Sequence, residues 1–257
     1  MLLQRKLMLI VSLSLLLIFV GFAQEKEEEP IPPKRSTQAK IGGALGFTQN
    51  WLFLDIDPIN DVLKSSGAGE LSKGGMLLLG GQAYGYVLLF QNMRIGGNWA
   101  GGHLKSKLLS LPSKVRKDID LSVGFGGVTV DYVLPIRPRL DVAFGVLLGG
   151  GGMDIKLTQD RGDPKIWDEI WKNLEERNLI LEYTRKLSGS FFVYQPSVNV
   201  EFAVLRWLGL RAGVGYLGMA GGSWEIDDKY ELLGVPDNVK GKGFILNGGI
   251  FVGTFIF

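Results

Sequence analysis

The sequence has no cysteine, a single histidine (His103) and only one long apolar run. Without cysteine there are no disulfides, no thiolate metal sites and no lipid-modified cysteine. A lone histidine with no clustered ligands points to no metal and no cofactor. An excess of one charge sign is missing too, with 28 basic against 26 acidic residues. A nucleic-acid binder would carry a basic excess, so no nucleic-acid partner is expected. Tandem repeats are not evident.

The apolar run, Leu7 to Val20, follows Arg5 and Lys6 and precedes Gly21-Phe22-Ala23. This is the three-part plan of a secretory signal peptide, residues 1–23, with cleavage expected after Ala23. At roughly 14 residues it is short against the about 20 that a spanning helix needs. Residues 24–38, "QEKEEEPIPPKRSTQ", read as a flexible periplasmic tail. The chain is rich in hydrophobic residues and has 37 glycines, yet beyond residue 38 no second run suits a spanning helix. A membrane chain without spanning helices has one option left, a closed barrel.

Residues 39–257 divide into eight alternating segments near 39–49, 75–90, 92–106, 118–134, 138–158, 188–206, 208–226 and 242–257. Their connections alternate strictly. "FQNM", "LPIRP" and "RWLG" are tight, whereas the other four are long. Short periplasmic turns, long extracellular loops and an even strand number are the plan of an outer-membrane barrel. Parity agrees: Leu140, Val142, Phe144, Val146 and Leu148 share one face of the fifth segment, opposite Arg139, Asp141, Ala143 and Gly145. In the sixth, Val198, Val200, Phe202 and Val204 oppose Ser197, Asn199, Glu201 and Ala203. In the seventh, Leu210, Ala212, Val214 and Tyr216 oppose Arg211, Gly213 and Gly215. In the fourth, Ile119, Leu121, Val123 and Phe125 oppose Asp118, Asp120 and Ser122. Val128, Val130 and Tyr132 then carry the apolar phase on the other parity, so a bulge is expected at Gly126-Gly127. A lipocalin-like barrel would put its apolar face inward. The Gly-, Ala- and Ser-rich polar face suits a narrow eight-stranded lumen better, and the Phe-, Leu- and Val-rich face suits lipid.

The last segment, "GGIFVGTFIF", puts Phe251, Phe255 and Phe257 on one parity and closes against "AKIGGALGFTQ". Here the sequence resembles the small outer-membrane barrels of the OmpA/OmpX type. The resemblance is architectural and covers residues 39–257. It implies an all-β, eight-stranded antiparallel up-and-down transmembrane barrel in the bacterial outer membrane. It also implies that the barrel-assembly machinery reads Phe251, Phe255 and Phe257 as a C-terminal signal.

Arg94, Asp131, Asp141, Glu201 and Arg211 have inward parity near the tight turns and are expected to crowd the periplasmic half of the lumen as pairs. Gln82, Tyr84, Tyr86 and Asn199 share that face. These charges read as a plug, or as a gate whose opening would admit a thin water path. Lys105, Lys107, Lys114, Arg116 and Lys117 belong to the second long loop and can meet lipopolysaccharide phosphates. In the third, Asp163-Pro164 starts an expected short helix with Ile166, Ile170, Trp171 and Leu174 on one face. Catalysis would rest on His103 with Ser106, as in a lipid A acyl-modifying enzyme. Their opposite parities argue against it, and no catalytic residue is assigned. The expected role is non-enzymatic, structural or interactive at the envelope, with outer-membrane lipids and lipopolysaccharide as partners. A lipid-modifying enzyme and a narrow channel or carrier are the alternatives; the oligomeric state is open.

Overall fold

A computed structural model describes residues 42–87, 89–106, 109–110, 116–160, 183–236 and 238–255. The signal peptide, the polar tail, the expected third-loop helix, Lys107, Lys114 and Phe257 lie outside them. Eight long strands run antiparallel: β1 (Gly43–Leu54), β2 (Met76–Tyr86), β3 (Met93–Lys105), β4 (Arg116–Arg137), β5 (Leu140–Asp160), β6 (Tyr183–Leu205), β7 (Leu208–Ile226) and β8 (Gly243–Gly253). Each pairs with its sequence neighbour, and β8 pairs with both β1 and β7. The ring is therefore closed and leaves no free edge across the membrane. Two-residue strands at 109–110 and 230–231 extend the sheet beside β4 and β7.

The strands are unequal. β1, β2, β3 and β8 have 11 to 13 residues, while β4, β5 and β6 have 22, 21 and 23. A bilayer needs only about 9–11 tilted residues per strand. The lipid-facing part of β5 runs from Leu140 to Leu148, with Val142, Phe144 and Val146 between. Phe144 is 47% exposed and Val214 on β7 is 54% exposed, both pointing away from the lumen. Trp207 at a tight turn and Trp99 on β3 are exposed at the two edges of this belt, where interfacial aromatics sit.

Above the belt the wall turns inside out. Ile119, Leu121, Val123 and Phe125 are buried inward, and Asp118, Asp120 and Ser122 face outward. No bulge occurs at Gly126-Gly127, because β4 pairs with β5 in unbroken register from Arg116 to Pro135. The expected phase flip is thus corrected: parity stays constant and the environment changes. The same happens on β5, where Met153 and Ile155 are buried while Asp154 and Lys156 face out. Apolar-inside and charged-outside is the arrangement of a water-solvated barrel, so the long ends of β4 to β7 stand clear of the bilayer.

The raised part is filled like a soluble core. Leu52, Leu78, Leu121, Met153, Val193, Leu217 and Ile245 are completely shielded from solvent. Over them lies α1 (Asp57–Ser65), in the first long connection. Asp57 and Pro58 open it, as an acidic first turn and an early proline favour. Ile59 and Leu63, four apart, face the core. The buried Asn60 side chain donates to the Leu71 carbonyl at 3.2 Å and accepts from the Leu71 amide at 2.9 Å. That pair of bonds ties residues 66–75 to the helix, and Leu71 joins the same core.

The inversion predicts a sharp depth dependence. Val200→Arg in the belt should lower unfolding free energy in lipid vesicles by about 2–4 kcal/mol. Ser122→Arg, above the belt, should change it by less than about 0.5 kcal/mol. Equal costs in a urea titration would remove the proposed boundary.

Candidate functional site

The lumen is layered, and the layers follow from which inward residues share a height. At the tight-turn end is an aromatic floor of Tyr84 and Phe251, with Tyr86 and Phe255 packed against it. Phe251 is buried and points into the barrel rather than to lipid. Its ring lies 6.0 Å from that of Tyr84. Gly46 makes this possible, since a Cβ there would stand 2.5 Å from the Phe251 ring.

Directly above is the charge layer. The strand register sets Arg94 opposite Asp131 and Glu201 opposite Arg211. The fully buried Arg94 donates Nε to Asp131 at 2.7 Å and Nη1 across the lumen to Glu201 at 2.8 Å. A second Arg94 bond, from Nη2, makes the grip on Glu201 bidentate. Arg211 Nη2 approaches the same carboxylate at 2.8 Å, and its Nη1 donates to Gln82. Both guanidinium groups lie on aromatic rings, Arg94 4.0 Å from the Tyr84 centroid and Arg211 4.2 Å from that of Phe251. Two cations and two anions thus cancel inside a low-dielectric tube, with forked hydrogen bonds and ring faces replacing their hydration. Asp141 is half-buried at the tight-turn mouth, paired in register with Glu201.

Above the charges sits a neutral polar layer of Thr48, Asn50, Asn98, Thr129, Gln195 and Asn199, and then the apolar core. Side chains therefore occupy the axis at every level, as the width of an eight-stranded barrel requires. The other residues singled out in the sequence lie elsewhere. His103 is exposed on the outer wall, opposite Ser122. Ser106 is buried, its Oγ accepting from the Ile119 amide at 3.1 Å. The wall separates the two side chains, and they form no dyad. Lys105 is exposed and 3.7 Å from Asp120, and Lys117 donates to the Ser66 carbonyl at 2.6 Å. Arg116 is the first residue of β4. Strand parity brings the charged partners together, but it does not reveal the upper core, whose inward residues are apolar, or α1, which is not a strand.

On the raised rim a hairpin tip is held by charge. Asp227 and Asp228 both have positive φ, 55° and 52°. The Lys186 amide donates to Asp227 at 3.0 Å and Arg185 approaches it at 2.5 Å. Lys186 Nζ reaches Asp228 at 3.0 Å, and Ser188 donates to it at 3.1 Å. The Lys186 amide, then Arg185, holds the Asp227 carboxyl below the usual range; Lys186, then Ser188, does the same for Asp228.

A strand ring with an apolar girdle nine residues tall and a filled polar axis defines a small eight-stranded outer-membrane β-barrel. No family model and no curated protein matches the sequence. Among solved structures, Ail, the attachment invasion locus protein of Yersinia pestis, in complex with the heparin analogue sucrose octasulfate, aligns over 83% of this chain and 99% of its own. Identity is 11% and the TM-score 0.42. A major outer membrane protein from Thermus thermophilus aligns over 82% and 98%, at 12% identity and a TM-score of 0.41. Outer membrane protease OmpT from Escherichia coli aligns over 86% and 98%, at 9% identity and a TM-score of 0.33. The barrel assignment itself stands on the closed pairing and the lipid belt.

Glu201 bridges both arginines, so Glu201→Ala should destabilise the barrel by about 3–5 kcal/mol by leaving two buried cations with Asp131 as their one remaining buried carboxylate partner in the layer. Asp141→Ala, at the mouth, should cost less in the same urea titration. For the rim, lowered carboxyl values mean that stabilisation is complete above the ordinary Asp pKa of about 3.9 and is lost as pH falls through the lowered values. NMR titration of the Asp227 and Asp228 carboxyl carbons should give midpoints below that of a free Asp. Midpoints at or above it would show that the tip is not held this way.

Proposed function

We propose that this chain is a non-catalytic, non-conducting outer-membrane barrel whose work is done by its raised extracellular surface. The observation that carries this reading is the filled lumen, with a neutralised charge layer below an apolar core that α1 covers. Such a tube is built to be stable rather than permeable. Its long strands lift an ordered, charged surface out of the membrane, a form suited to contact with envelope components or external partners. Lys105 and Lys117 stand on the raised wall, level in the strand register with Lys156 and Gln159, and with Arg116, Lys107 and Lys114 they are our candidates for contact with lipopolysaccharide phosphates. Phe251, Phe255 and Phe257 are our candidates for the signal read by the barrel-assembly machinery.

Planar bilayers containing the purified protein should show no single-channel steps, and neither should Glu201→Ala. Resolved steps in the unaltered protein would overturn the closed-barrel reading. Lipid A mass spectra of a deletion strain should match the parent, whereas a changed acyl pattern would establish an enzyme. Lys105→Glu combined with Lys117→Glu should weaken binding to lipopolysaccharide micelles about tenfold and leave folding intact.

A further inference from the structure

The neutral polar layer encloses a cavity of about 20 Å³ whose walls include Asn98, Thr129, Gln195 and Arg211. Each of these contributes a buried polar atom with no hydrogen-bond partner in the protein: Asn98 Oδ1, Thr129 Oγ1, Gln195 Oε1 and Arg211 Nε. Thr129, Gln195 and Arg211 are all more than nine-tenths buried. Four such atoms around one void are uncommon, because buried polar groups are nearly always paired. The void exceeds the roughly 10–15 Å³ that one water molecule requires.

The chemistry of the walls selects the occupant. Three oxygens call for a donor and Arg211 Nε calls for an acceptor, so a bound species has to do both. The neighbouring charges, Arg94 and Arg211 against Asp131 and Glu201, cancel and favour no ion of either sign. Water meets both conditions.

Its route is set by what lies on each side. Below, a second cavity of about 30 Å³ opens at the tight-turn mouth and is lined by Asp141, Glu201, Ala203 and Arg211. Arg211 borders both cavities. Above, the next inward residues along the strands from Asn50, Asn247 and Gln195 are Leu52, Ile245 and Val193, each completely buried. We propose that the mid-lumen chamber is a blind hydration site: it binds one or two waters that enter from the tight-turn end past Arg211 and are stopped by the apolar layer above. The seal of this barrel is then that apolar layer, not its ion pairs. This inference rests on the chamber and stands apart from the surface role proposed above.

The cysteine-free sequence gives a clean background for the test. Single variants Ala203→Cys in the mouth, Ser197→Cys in the chamber and Val193→Cys in the seal are reconstituted and exposed to silver ion, which travels through hydrated paths. Each is used only if it folds, judged by heat-modifiable mobility, and Thr48→Cys is a second chamber probe. Reaction should be fast at 203 and measurable at 197. At 193 it should be at least about a thousandfold slower, since a bare ion does not enter an apolar layer. Equal rates at 193 and 197 would overturn the seal, and an inert 197 and 48 would overturn the hydration. In the unaltered protein, NMR should detect water-to-Gln195 side-chain transfer; its absence would count against the site. A halide-dependent shift of the Arg211 Nε resonance would replace water with an anion.

Discussion

An eight-stranded cylinder is only as wide inside as the side chains it must hold, and that limit governs this protein. An inward void forfeits contacts, and an inward polar group must find its partner in another side chain or in water. Arg94 shows how the limit is met. Its guanidinium spans the lumen from Asp131 to Glu201 and rests on Tyr84, so one side chain fills the bore, bonds two carboxylates and ties non-adjacent strands together. Gly145 opposite Asp131 is the complement: a Cβ there would collide with the Asp131 carboxylate, so the charge layer depends on a residue with no side chain.

The wall obeys two solvents in turn. Over the nine positions from Leu140 to Leu148 the outward residues dissolve in hydrocarbon, and the inward ones, Asp141, Ala143, Gly145 and Leu147, leave room for the polar layers of the lumen. Beyond the glycines at 149–152 the roles exchange, and Met153 and Ile155 point in while Asp154 and Lys156 point out. One continuous strand thus serves as a membrane element and then as an element of a solvated barrel, without a break in its hydrogen-bond ladder. The apolar core above and the polar axis below are both consequences of that exchange.

Much of this was legible in the sequence. Alternation located all eight strands, and the three tight turns marked which neighbours pair as hairpins. Inward parity, with neighbouring strands, singled out Arg94, Asp131, Glu201 and Arg211. What parity cannot tell is which face is inside, and this produced the bulge expected at Gly126-Gly127. Strand length carried the missing signal: a segment of some twenty residues is twice what a bilayer needs, so half of it had to meet a different solvent. The helix α1 is marked only by Asp57-Pro58 and the Ile59/Leu63 spacing, because nine residues make only about two and a half turns and its apolar stripe repeats too few times to stand out in a long connection. The bridge from Arg94 to Glu201 crosses the axis between strands that are not neighbours, and no linear pattern encodes that distance.

The inward turn of Phe251 has a temporal consequence. In an open sheet its ring is on display, whereas in the finished cylinder it lies beneath Arg211 and beside Tyr84. Any factor that recognises that ring can do so only before β8 zips to β1. Closure hides the ring from any such factor, so a completed molecule could not compete with nascent ones for it.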